Sequence, residues 1–265
     1  RPPRFLCRGS ARGGAPLWFK PLKFSISIAL YAFALAWMLG QLRERTLRRT
    51  GWAIAAGLVL EMVIIVGQAA RGVRSHYNDD GGLGTLLFDV MGATITVVWL
   101  LTLAIAVRFL REPGQDRAMT LAIRLGLLVS LVGMGVGFVL GANGSHAVGV
   151  PDGGPGLFFV GWSTTGGDLR IAHFVGLHAL QVLPLLAALL TRRGVGDPTR
   201  VVWSVAVGYL GVVLLLLWQA LRAQPLVAPD GLTLGALGVV ALAALAVLLP
   251  RTRVSVRRLG HRWAS

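Results

Sequence analysis

The stretch Leu86–Val107, LLFDVMGATITVVWLLTLAIAV, is twenty-two residues long and carries one charged side chain, Asp89. At a helical rise of about 1.5 Å per residue it reaches about 33 Å, enough to cross a hydrocarbon layer of about 30 Å. Its apolar residues do not alternate, as they would along a barrel strand. A helix then remains as the structure that satisfies its own backbone hydrogen bonds in lipid.

The same pattern recurs on both sides, at Phe24–Leu42, Trp52–Ala70, Leu125–Gly141, Ile171–Leu190, Val201–Leu221 and Leu232–Leu249. All 26 Lys and Arg residues fall outside these seven runs, as they should, because a cation at the bilayer centre costs about 2.5 to 3.5 kcal/mol on insertion scales. The sequence predicts an all-α integral membrane protein, a bundle of about seven transmembrane helices. A basic N-terminal tail covers 1–23, the polytopic helical domain 24–249 and a basic cytoplasmic tail 250–265.

Composition agrees. Of 265 residues 55% are hydrophobic and 14% charged, where a soluble domain carries about 25% charged residues. The net charge of +15 sits in short arginine-rich segments between the apolar runs, the pattern of cytoplasmic loops. It is not the basic face of a nucleic-acid-binding domain, so nucleic acid is excluded as a partner and the lipid bilayer is the first partner expected. Cys7 is the sole cysteine, so there is no intrachain disulfide and no cysteine metal site. Arg1–Lys23 holds no apolar run of signal-peptide length.

Loop charge sets an expected orientation. The first, third and fifth connections and the C-terminal tail together hold sixteen arginines, and the even connections hold four, Arg71, Arg74, Arg170 and Arg222. The arginine-rich side is expected in the cytoplasm, with the C-terminus. The six cations of the N-terminal tail run against this rule and weaken it. The bias of Arg over Lys, with Lys20 and Lys23 the two lysines, points to a GC-rich bacterium and hence to a bacterial cytoplasmic membrane.

Four of the five histidines fall on the expected extracytoplasmic side. His76 follows the second run, His146 follows the fourth, and His173 and His178 open the fifth. Imidazole ligates haem iron and divalent metals, and ligands on different helices can converge. His76, His146, His173 and His178 are therefore candidate metal ligands, and His76, His173, His178 and Gln181 a candidate cofactor set. His173 and His178 are five residues apart, about 140° around a helix, so they cannot chelate one ion. Glu61 lies midway along the second run, where an ionisable group marks a proton relay or a substrate contact. Asp89, Ser163, Asp168 and Arg170 are candidate contacts for an anion or substrate. Within Gly161–Arg170, Asp168 is also placed to cap the fifth helix. The one long connection, 142–170, is rich in Gly and Pro but holds Leu157, Phe158, Phe159 and Trp162, so it is expected to fold back onto the helices.

The segments Lys20–Phe24, Ser75–Asn78, Pro151–Gly156, Asp168–Arg170 and His173–His178, with Gln181, resemble a group of multispanning bacterial membrane proteins without an assigned activity. The resemblance implies a membrane location and no mechanism. Three functions are compatible with the residues. The first is redox or proton-coupled chemistry at a haem b or metal ion held by the histidines. The second is a transporter or channel for a small solute, lined by Glu61, Gln68, Asp89 and Gln181. The third is a non-catalytic accessory subunit, in a homo-oligomer or a larger membrane complex.

Overall fold

The computed structural model describes residues 18–42, 45–77, 81–112, 114 and 116–249. Cys7, Asp79, Asp80, His261 and the C-terminal tail lie outside the described residues. Among the described residues seven helices follow one another: α1 (Phe19–Leu39), α2 (Arg45–Ala70), α3 (Leu83–Arg111), α4 (Arg117–Asn143), α5 (Leu169–Arg192), α6 (Pro198–Leu221) and α7 (Gly231–Leu248). Each is long and apolar enough to cross a membrane. The chain is an all-α, multi-pass membrane protein, as expected.

Local chemistry fixes the helix starts. Asp116, Asp168, Asp197 and Asp230 stand at the N-caps of α4 to α7, and each accepts backbone N–H bonds from the first turn. These bonds satisfy donors that the helix itself leaves open. Pro198 opens α6, where its missing N–H costs nothing. Gly144, at φ +64°, ends α4 in the left-handed conformation.

Helices α1 to α5 each pack on the next, and α1 packs back on α5, so the five close into a ring. Met38, Ile54, Val98, Ile105, Leu127 and Leu180 fill its centre, one or two from each helix. Within that core Tyr31 Oη and Thr102 Oγ1 are 2.6 Å apart. Helix α6 lies against α4 and α5, and α7 against α6. The tightest crossing joins α4 to α5: a Cβ on Gly133 would stand 2.5 Å from the Gly176 carbonyl carbon. Small residues let two backbones approach this closely, which is how helices associate in lipid. Tyr209, Ser204 and Ser130 add hydroxyl bonds to carbonyls of neighbouring helices.

One boundary is corrected. Helix α1 begins at Phe19 rather than Phe24, so Lys20 and Lys23 belong to its first turns and not to a tail. The other helices also run past their apolar cores and carry arginines at their ends, Arg108 and Arg111 in α3 for example. The N-terminus of α1, residues 71–77 and 81–82, the 144–168 loop and the α6–α7 connection thus share one end of the bundle, called the histidine face below. The opposite end is the arginine face.

The 144–168 loop is folded. Strand β1 (Ala147–Val148) pairs antiparallel with β2 (Gly167–Asp168), and a bridge joins Gly156 to Ser163. The expected return onto the helices is present. Phe159 stacks obliquely on Phe19, with centroids 5.8 Å apart, and Trp162 meets Phe174 edge-on.

Candidate functional site

Asp168 anchors the site. Its carboxylate is fully buried and accepts four bonds: from Ser163 N (2.9 Å), Arg170 N (3.1 Å), Arg170 Nε (2.9 Å) and Arg170 Nη2 (2.5 Å). Arg170 Nη2 also donates to Gly161 O. The pair therefore ties loop, strand and helix start together. Ser163 Oγ accepts from Gly166 N at 3.1 Å. Asp168, Arg170 and Ser163, expected as anion contacts, all take part in this local structure.

His173 lies in the α4–α5 crossing. Its Nδ1 is 2.7 Å from the Gly133 carbonyl, and since a carbonyl can only accept, Nδ1 carries the hydrogen and Nε2 the lone pair. Gly137 makes the room: a Cβ there would stand 3.3 Å from the imidazole Cε1. His76 sits in an aromatic box of Phe24, Tyr77 and Phe88, with centroids 5.2, 6.4 and 6.2 Å away, and its Nδ1 is 3.1 Å from Ser75 Oγ. His146 Nδ1 lies 3.0 Å from Asp152 Oδ1 without hydrogen-bond alignment. That same carboxylate oxygen accepts from Ser145 Oγ (2.6 Å) and Ala147 N (3.1 Å). His178 stacks edge-on against Phe174 at 4.4 Å, on another side of α5 from His173, and Gln181, its neighbour on that side, has a buried Oε1 with no aligned hydrogen bond among the described residues.

Among the described residues no three His, Cys, Asp or Glu side chains stand together so as to hold a metal ion. The helical angle already separated His173 from His178, and the loop folds carry His76 and His146 to different partners. Asp89 is exposed in the second turn of α3 and joins none of these groups.

The histidine face gathers cations that the sequence did not bring forward. Lys23 Nζ donates to Val160 O at 3.1 Å, linking α1 to the loop. Lys20 stands 6.0 Å from the Phe24 ring, and its charged neighbours are Arg170, Arg74, Lys23 and Asp152. Neither lysine forms an ion pair among the described residues. Burial holds the His76 imidazole well below its ordinary pKa, and the neighbouring Lys20 and His173 add to this. Burial, then Arg170, lowers His146, with Asp152 opposing. Burial and the Asp152 carboxylate push Tyr77 up to about 12. His76 and His146 are thus neutral at pH 7, beside two lysine side chains that form no ion pair among the described residues. The signal for these lysines was present: they are the two lysines in an arginine-rich chain and stand three apart.

Glu61 lies deeper, on the buried face of α2, 6% exposed and without a hydrogen bond or ion pair among the described residues. Gln68 is two turns nearer the histidine face, its Oε1 accepting from Arg71 Nη1 at 2.7 Å. At the helical rise the two are separated by about 10 Å along α2. No protein-family model, curated protein or solved structure matches the chain.

Proposed function

We propose that this protein carries a small anionic solute across a bacterial cytoplasmic membrane, binding it at the histidine face and coupling its passage to a proton on Glu61. In this reading the arginine face and the C-terminus are cytoplasmic, in keeping with the loop charges. The observation that carries the reading is the pair Lys20 and Lys23. They bring two lysine side chains to a cluster whose buried carboxylate, Asp168, is already matched by Arg170. An anion with two or more acceptor oxygens can accept hydrogen bonds from both lysines. Glu61 supports the second half, because a lone buried acid at mid-membrane is costly and marks a proton or substrate path.

Flux into liposomes tests the reading, with inorganic phosphate, sulfate and succinate as probes. Saturable uptake is expected for at least one anion. It is lost in the double variant Lys20→Gln, Lys23→Gln. It is retained but no longer stimulated by a proton gradient in Glu61→Gln. Absence of uptake for all three, or equal uptake by the double variant, overturns it.

A second reading has one specific support. A ligating histidine commonly donates its other ring nitrogen to a carbonyl, and His173 does so to Gly133. His173 would then present Nε2 to a haem b or a divalent ion. An absorption spectrum and metal analysis of the purified protein decide this. A colourless, metal-free preparation that takes up neither haem nor divalent ions rejects it.

A further inference from the structure

A groove runs between α1 and α2 on the surface that faces lipid. Its half nearer the arginine face has a volume of about 670 Å³ and is lined by Leu35, Leu39, Gly51, Ile54 and Leu58, with Arg48 at its mouth. It continues toward the histidine face as a second section of about 580 Å³, with Ala32, Ala55 and Leu58 shared by both. Among the described residues Arg48 is the one charged member of the lining; it is exposed and forms no ion pair with any of them. Trp52, 72% exposed, stands one turn deeper.

We infer that the half-groove holds one anionic phospholipid of the leaflet on the arginine face, one of its two acyl chains between α1 and α2 and its phosphate on Arg48. Length supports this occupant. From Arg48 to Leu58 α2 rises about 15 Å, which equals half of a hydrocarbon layer of about 30 Å, the depth of one leaflet. Chemistry supports it too. The walls are apolar, and the guanidinium at the mouth can grip a phosphate through two parallel N–H bonds. Basic pockets between helices at the membrane surface take lipid headgroups in this way. Trp52 lies at the level of the interface, where its ring prefers to be. Gly51 keeps the mouth narrow: a Cβ there would stand 2.7 Å from a Leu39 methyl.

Native mass spectrometry of the full chain, released from nanodiscs of equal phosphatidylglycerol and phosphatidylcholine, tests the inference. One retained phosphatidylglycerol is expected, favoured over phosphatidylcholine by about fivefold or more, the preference one surface arginine confers. Arg48→Gln, a change at an exposed position, brings the two lipids to near parity. Ala55→Phe fills the shared midpoint and lowers retention of both lipids with Arg48 intact. Equal retention by the unsubstituted protein overturns the inference. So does a preference unchanged in Arg48→Gln, or a lipid-free dimer in place of the bound lipid.

Discussion

Replacing Asp168 by Ala removes four acceptor bonds at once, two to backbone N–H groups and two to the Arg170 guanidinium. Each stranded backbone donor costs about 1 kcal/mol. Breaking a buried ion pair costs about 3 to 5 kcal/mol, because the survivor is left charged without a partner. The Arg170 side chain is 28% exposed, so water relieves part of that penalty, and the lower end of the range applies. The total expected loss is about 5 kcal/mol. Asp168→Asn keeps one acceptor oxygen and is expected to lose about half as much. Titration of the detergent-solubilised protein with sodium dodecyl sulfate, followed by helical circular dichroism, measures the global loss. Trp162 fluorescence and protease nicking within 149–166 report the loop separately. The loop is expected to open at lower denaturant than the helices unfold. A loss below about 1 kcal/mol for Asp168→Ala with unchanged nicking would refute the view that this carboxylate holds the site together.

Gly133→Ala forces α4 and α5 apart, and a loss of about 1 to 3 kcal/mol is expected in the same titration. An unchanged midpoint contradicts the close crossing. Acidification is expected to destabilise the fold through His76 and His146. Both imidazoles are held below their ordinary pKa when folded, so the unfolded chain binds more protons below about pH 6.5. Stability is full above that pH and falls as pH drops toward the folded values, by up to about 1.4 kcal/mol per pH unit for each histidine. His76→Asn should shallow this slope, and an unaltered pH profile argues against a buried neutral imidazole. Glu61→Leu is expected to leave stability equal or higher, since the carboxyl has no partner to lose. Destabilisation by more than about 1 kcal/mol would mean that Glu61 bonds to a group in the bundle.

The seven spans were legible because lipid penalises every misplaced charge, and a run such as Leu125–Gly141 admits one interpretation. The start of α1 was not legible. Lys20 and Lys23 look like tail residues when charge alone marks the boundary, yet long side chains near a helix end reach the interface while their stems stay packed. Of the expected site, Asp168 as a helix cap and the separation of His173 from His178 followed from local rules and helical angle. The partners of His76 and His146 did not, because they depend on how two loops fold over the bundle. The role of Gly137 was half legible. Its four-residue spacing from Gly133 marks a packing seam, but that the gap holds the His173 ring is a tertiary fact.

Labelling of single cysteines from one side of the membrane tests the central arrangement most directly. With Cys7 replaced by Ser, Thr165→Cys reports the histidine face and Val195→Cys the arginine face, both at exposed positions. A membrane-impermeant maleimide added to intact cells is expected to label Thr165→Cys at once, and Val195→Cys after lysis alone. Labelling of both cysteines from the same side would contradict α5 as a span, and with it the grouping of lysines and imidazoles at one membrane face.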